Sequence, residues 1–246
     1  MNAPRLIQEN LNPNGRAPYS AKGPVKPTRA TRLPAKKSMF SFRGFTYDPE
    51  RHRQLVFESN LEYQAATIMS ADRRLKDIED QPAAVRFVAA NGKIKRHTFD
   101  FRITTVTGER FALAIKPFAK VERSGLPEII TAIRQQVGQD FADHYLIRTE
   151  REFSREAYVT ARLKLRSRQV ANSDQVAALA GRVTDLTGPT TIIDFLELCG
   201  SGLESFMDAI ALIDCGVLAM VHPASALCEL SFIKRPSNPF TPEHQS

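Results

Sequence analysis

Two short stretches of this sequence place charged side chains where they could act together. In HTFDFRI, residues 97–103, strand alternation puts Phe99, Phe101 and Ile103 on one face and Thr98, Asp100 and Arg102 on the other. In RFALAIKP, residues 110–117, Phe111, Leu113 and Ile115 share one face, and Ala112, Ala114 and Lys116 the other. If Val106-Thr107-Gly108 is a three-residue loop with Gly108 left-handed, Thr105 pairs with Glu109 and Asp100 falls opposite Ala114. Lys116 then lies diagonally beside Asp100 on the same face. Glu62, from a helix earlier in the chain, is available to join them. A carboxylate pair beside an ammonium at a sheet edge is a polar site in the making, yet each member also has an ordinary role. Glu62 is the last residue of the capping-box pattern Ser59-Asn60-Leu61-Glu62, which alone accounts for it. Asp100 and Lys116 suit a cross-strand ion pair, worth under about 1 kcal/mol at a surface.

The elements that must position these residues follow from periodicity and turn chemistry. The capping box opens a helix reaching about Ser70. Residues 85–90, the turn Asn91-Gly92 and residues 93–103 predict a hairpin. A strand over 109–116 ends at Pro117. Residues 126–137 carry Ile129, Ile130, Ile133 and Val137 at helical spacing, closed by Gly138. Residues 144–148 predict a short strand, and a second capping box, Thr149-Glu150-Arg151-Glu152, opens a helix to about Arg168. Residues 45–168 thus run helix, three antiparallel strands, helix, strand, helix. Residues 169–246 differ. Helices are predicted over 173–183 and 190–199, and a third from the apolar face Leu203, Phe206, Met207, Ile210 and Ile213. A small hairpin of residues 217–221 and 227–234 ends the domain. Three short helices and a terminal hairpin is the order of a winged helix. The expected fold class is therefore α/β, a mixed sheet with flanking helices followed by a small winged-helix-like domain.

The order helix acid, strand-end aspartate, then x-Lys on the next strand resembles the restriction-endonuclease-like PD-(D/E)xK superfamily. The stretches ESNLEYQAATIMSADRRLKDIEDQPAAVRF, NGKIKRHTFDF and TGERFALAIKP are more closely similar to the TnsA family, the endonuclease subunits of heteromeric transposases. The similarity covers residues 55–168, with a looser match in the C-terminal region, and includes Gln81-Pro82 ahead of a strand. It implies that Glu62 and Asp100 are acidic metal-site residues and Lys116 the catalytic lysine of an Mg²⁺-dependent endodeoxyribonuclease. In such a site the acids hold the hard cation, which activates water, and the lysine stabilises charge on the phosphate oxygens. It also implies DNA nicking at transposon 5′ ends beside a DDE-type transposase that handles the 3′ ends. The sequence departs from the family at two positions. Phe99 stands where proline is usual, and Ala114 where the family has Glu or Gln. A methyl group cannot ligate a metal. The alternative expectation is therefore a degenerate nuclease-fold module that binds DNA and the transposase. A nuclease outside transposition would share the core but not the partner. Residue 114 is expected to face the cleft, so that a larger side chain there would reach solvent.

Arg151, Arg155, Arg162 and Arg166 fall within about 60° of one another on a continuous helix at 100° per residue. Such a stripe suits DNA phosphates; a solvated face paired with Glu152 and Glu156 is the plainer reading. The chain has 246 residues, is 42% apolar and carries a formal charge of +7. Nine of its basic residues and only one acid, Glu9, lie in residues 1–44, which also hold six of the fifteen prolines. That segment is expected to be a disordered basic arm, either a solubilising leader or a contact for phosphates or a partner. The domains expected are thus 1–44, 45–168 and 169–246. Cys199, Cys215 and Cys228 are odd in number and far apart, which favours a reducing compartment and no structural zinc. No secretory h-region is visible, and the longest apolar stretch, 209–221, is too short to span a bilayer. A cytoplasmic protein without a membrane partner is expected. The histidines show no ligand spacing, and His97, three residues from Asp100, is expected to face away from it. There is no Walker loop, dinucleotide fingerprint, GxSxG or HExxH.

Overall fold

The computed structural model describes residues 23–31 and 42–236. They divide into two compact units, Gly23–Ala161 and a second that includes the described residues from Arg162 onward. Among the described residues no helix is long and apolar enough to cross a membrane.

The first unit is a mixed four-stranded sheet with helices on both faces. In chain order its elements are β1 (Gly44–Asp48), β2 (Arg53–Phe57), α1 (Asn60–Ala71) and β3 (Leu75–Asp80). Strands β4 (Val85–Val88), β5 (Ile94–His97), β6 (Phe101–Thr105) and β7 (Arg110–Ile115) follow, then α2 (Leu126–Val137) and β8 (His144–Arg148). The sheet order is β3-β6-β7-β8, antiparallel except for the parallel pair β7–β8. Alternation along β7 feeds two cores. Leu113 and Ile115 pack with Ala65, Ala66 and Met69 of α1, together with Ile78 and Phe101. Ala112 and Ala114 pack with Leu126, Ile130 and Ile133 of α2, together with Phe99 and Tyr145.

The cap at Ser59 forms as expected, with Ser59 Oγ accepting the Glu62 N–H; the Glu62 carboxylate reaches back one residue further than a capping box requires, to the Glu58 N–H. The loop 106–108 also forms. Thr105 N–H donates to Glu109 O at 2.9 Å, and Gly108 takes φ 96°, open only to a residue without a Cβ clash. These two features fix where Glu62 and Asp100 stand.

Four expectations are corrected. The strand expected over 93–103 breaks at Thr98–Asp100, because β5 pairs with β4 in a separate two-stranded sheet while β6 joins the central one. Phe99 and Phe101 consequently pack into different cores rather than on one face. Strands β1, β2 and β3 were not expected. The second capping box closes only a turn: Thr149 N–H and Oγ1 donate to Glu152, and the helix α3 (Arg155–Val170) starts later, capped by Ser154. Finally, residues 23–31, within the segment expected to be a free arm, are bonded to the core. Lys26 bridges to β2, Arg29 pairs with Asp77, and Thr28 donates to the fully buried Asp80. The physical reason is Asp80, a buried carboxylate that needs donors. Residues 1–22 and 32–41 of that segment lie outside the described residues.

The second unit contains α4 (Ser173–Arg182), β9 (Thr190–Thr191), α5 (Ile192–Leu198), α6 (Phe206–Asp214), β10 (Ala219–Met220) and β11 (Phe232–Lys234). Asn172 caps α4 and Thr191 caps α5. The strands form an antiparallel sheet in the order β10-β11-β9. Val176, Leu179, Phe195, Leu196, Ile210, Leu212 and Ile233 make the core. A buried ion pair, Arg168 to Asp214 at 2.8 Å, ties the end of α3 to α6.

Candidate functional site

Three main-chain or side-chain bonds fix Asp100 at the start of β6. Its N–H donates to Leu113 O at 2.9 Å, and its C=O accepts the Gln81 N–H at 2.9 Å. Its Oδ2 accepts the Ile115 N–H at 2.6 Å. The Gln81 contact depends on a backbone turn at positive φ, 38°, just ahead of Pro82. Glu62 is fixed by its cap: Oε2 accepts the Glu58 N–H at 2.7 Å and Oε1 the Ser59 hydroxyl at 2.8 Å. Lys116 leaves β7 with its N–H on Arg148 O at 3.0 Å.

The structure brings Glu62, Asp100 and Lys116 into one electrostatic field. Burial pushes the Asp100 carboxyl up to about 7, and the nearby Glu62 charge adds to the rise. The Ile115 N–H and Lys116 oppose it without prevailing. Burial also raises Glu62, against the hydrogen bonds from Glu58 and Ser59 and the pull of Lys116. Both acids are thus held toward their protonated forms, chiefly by burial.

Two further residues belong to this field. Glu58 raises both acids; it lies ahead of the Ser59 cap, outside the helix, and the sequence reading missed it. His97 is lowered by burial and then by Lys116, and its ring packs edge-on to Phe99 at 4.8 Å. Its Nε2 is buried without a hydrogen-bond partner. Alternation placed His97 away from the site; the break at 98–100 brings it toward Lys116. Nothing in its spacing announces that break.

Ala114 does not face the acids. It is 2% exposed, in the apolar core with Leu126, Ile130 and Phe99. The expectation that a larger side chain there would reach solvent is therefore wrong, because residue 114 points toward α2. A resident Mg²⁺ needs several hard oxygens in a near-octahedral array. Here both Glu62 oxygens and one Asp100 oxygen already accept hydrogen bonds, and residue 114 supplies a buried methyl. Among the described residues no three Asp, Glu, His or Cys side chains gather in a metal-holding group. Residue 114 thus adds no oxygen to the carboxylates of Glu62 and Asp100.

The arginine stripe survives in part. Arg151 precedes α3, so it does not share the helical face; its guanidinium lies over the Phe118 ring at 3.4 Å. Arg155, Arg162 and Arg166 are exposed on α3 and fall within about 40° of each other.

Compared with models of known protein families the chain matches none, and no curated protein shows significant similarity to it.

Proposed function

We propose that this chain is a DNA-binding subunit of a transposition system, built on a nuclease-like frame that no longer cleaves. The observation that carries the loss of cleavage is Ala114, a core methyl where a TnsA-like site has a ligand side chain. The frame itself supports the kinship: an acid from α1, an acid opening β6 and a lysine closing β7, in the order of PD-(D/E)xK nucleases. Exposed cations on α3, at Arg155, Arg162 and Arg166, suit phosphates.

The second unit has the element order helix, strand, helix, helix, strand, strand, with β11 between its partners. That order supports a winged-helix-like reading. Its charge is nearly balanced: residues 162–236 carry eight acidic residues and seven of Lys or Arg, four of the basic ones between Arg162 and Arg168. A DDE-type transposase is the protein partner that the resemblance implies. The test is duplex-DNA binding by the whole chain over a salt range. Affinity should fall steeply with salt; the absence of salt-dependent binding overturns the reading.

A second reading retains Mg²⁺-dependent nicking. The shared field of Glu62, Asp100 and Lys116 favours it. Strand nicking that disappears in Lys116→Ala would establish it.

A further inference from the structure

The β4–β5 hairpin, with its loop, carries Arg86, Lys93, Lys95 and Arg96 and no acidic residue. The register sets Arg86 directly across from Arg96, and Val88 directly across from Ile94. Because side chains alternate along a strand, these four share one face. Both arginines are exposed, and Val88 and Ile94 are 46% and 63% exposed. The opposite face sends Val85 and Phe87 into the core beside Leu126 and Ile130.

Like charges placed directly opposite weaken a strand pair. Neither arginine has a hydrogen-bonded or ion-paired side-chain partner among the described residues. Two exposed aliphatic side chains beside them add a second local cost. A hairpin with such a face should be unstable, yet this one is firmly anchored. Gln136 of α2 accepts the Val88 N–H at 2.8 Å and donates to Val88 O at 2.9 Å. The loop 90–92 is closed by Gly92 N–H to Ala89 O at 2.8 Å. The core and the Gln136 clamp thus hold the repelling, apolar-tipped face outward in one conformation.

We propose that this face is a duplex-DNA contact, with the hairpin lying in the major groove. That groove admits a two-stranded ribbon. Arg86 and Arg96 then reach phosphates on the groove walls, and Val88 and Ile94 meet base edges, where thymine methyls offer an apolar partner. The proposal rests on the DNA-binding reading and names the element that does the binding, separate from the Glu62–Asp100–Lys116 cluster.

The test uses the full chain and a labelled duplex, with anisotropy read over a salt series. Arg86→Gln with Arg96→Gln should lower affinity at least about tenfold at low salt and flatten the log–log salt slope by about 2. Arg86→Lys with Arg96→Lys should keep the slope. Val88→Thr with Ile94→Thr should weaken binding while leaving the slope unchanged. The arginine double variant should melt no lower than wild type, since repulsion is removed. If wild type fails to bind duplex DNA, the DNA-binding reading falls and this proposal with it. If wild type binds and the double glutamine variant matches it in affinity and slope, only the hairpin assignment falls. Tighter binding to poly-glutamate than to duplex, lost through the same substitutions, would make the face a protein-docking surface and overturn the assignment.

Discussion

Asp100 Oδ2 accepts the main-chain N–H of Ile115 at 2.6 Å, one residue past the buried methyl of Ala114. The acid is thus spent on holding the end of β7 while lying deep enough to resist ionisation. Folded, it protonates at about 7; its ordinary value is 3.8. Between those values the folded chain binds more protons than the unfolded one, so stability falls as pH rises through this window. Asp100→Asn keeps an acceptor for Ile115 and removes the charge. The variant should match wild type near pH 4 and exceed it by about 4 kcal/mol at pH 8, at about 1.4 kcal/mol for each unit of the rise. Melting curves at the two pH values check this; equal shifts at both would show that Asp100 ionises freely.

Glu62 separates capping from catalysis. Ser59→Ala should cost about 1 kcal/mol, because the Glu62 N–H loses its cap. Glu62→Gln retains an acceptor for Glu58 and relieves the crowding with Asp100, so urea unfolding should show no loss. A large loss in Glu62→Gln would mean that the negative charge itself holds the fold.

Ala114→Glu tests the packing directly. With 2% exposure among Leu126, Ile130 and Phe99, a carboxylate there should cost at least about 3 kcal/mol, and Mg²⁺ should not restore it. Unchanged stability together with Mg²⁺-dependent stabilisation would show that residue 114 opens onto the acids after all.

The N-terminal segment calls for two truncations. Removing residues 1–22 leaves the Thr28–Asp80 and Arg29–Asp77 contacts in place. Removing residues 1–31 strips a donor from fully buried Asp80, leaving only the Val56 N–H at 2.6 Å on that oxygen. The longer truncation should cost about 1–3 kcal/mol more than the shorter. Chemical denaturation of the two proteins decides it.

Local chemistry made parts of the site legible. Ser59 and Glu62 declare a cap, and Gly108 declares a three-residue loop whose register runs to Phe101 across from Leu113, next to Asp100. The strand Leu75–Asp80 was hidden because only Ile78 supplies a fully buried aliphatic residue; its other inward residue, Asp80, is a carboxylate served by Thr28 and Val56. The break at Thr98–Asp100 was hidden for a different reason. Alternation continues through it unbroken, and only the existence of two sheets sends Phe99 and Phe101 into separate cores. The buried side of Ala114 was present in the alternation, since Ala112 and Ala114 share a face. What alternation could not supply was α2 lying on that face.

The most direct measurement incubates the full chain with an end-labelled duplex and Mg²⁺ or Mn²⁺, then reads the same sample on native and denaturing gels. A retarded complex on the native gel and intact strands on the denaturing one are expected. Nicked strands that appear with the metal and vanish in Lys116→Ala or Asp100→Asn would contradict it.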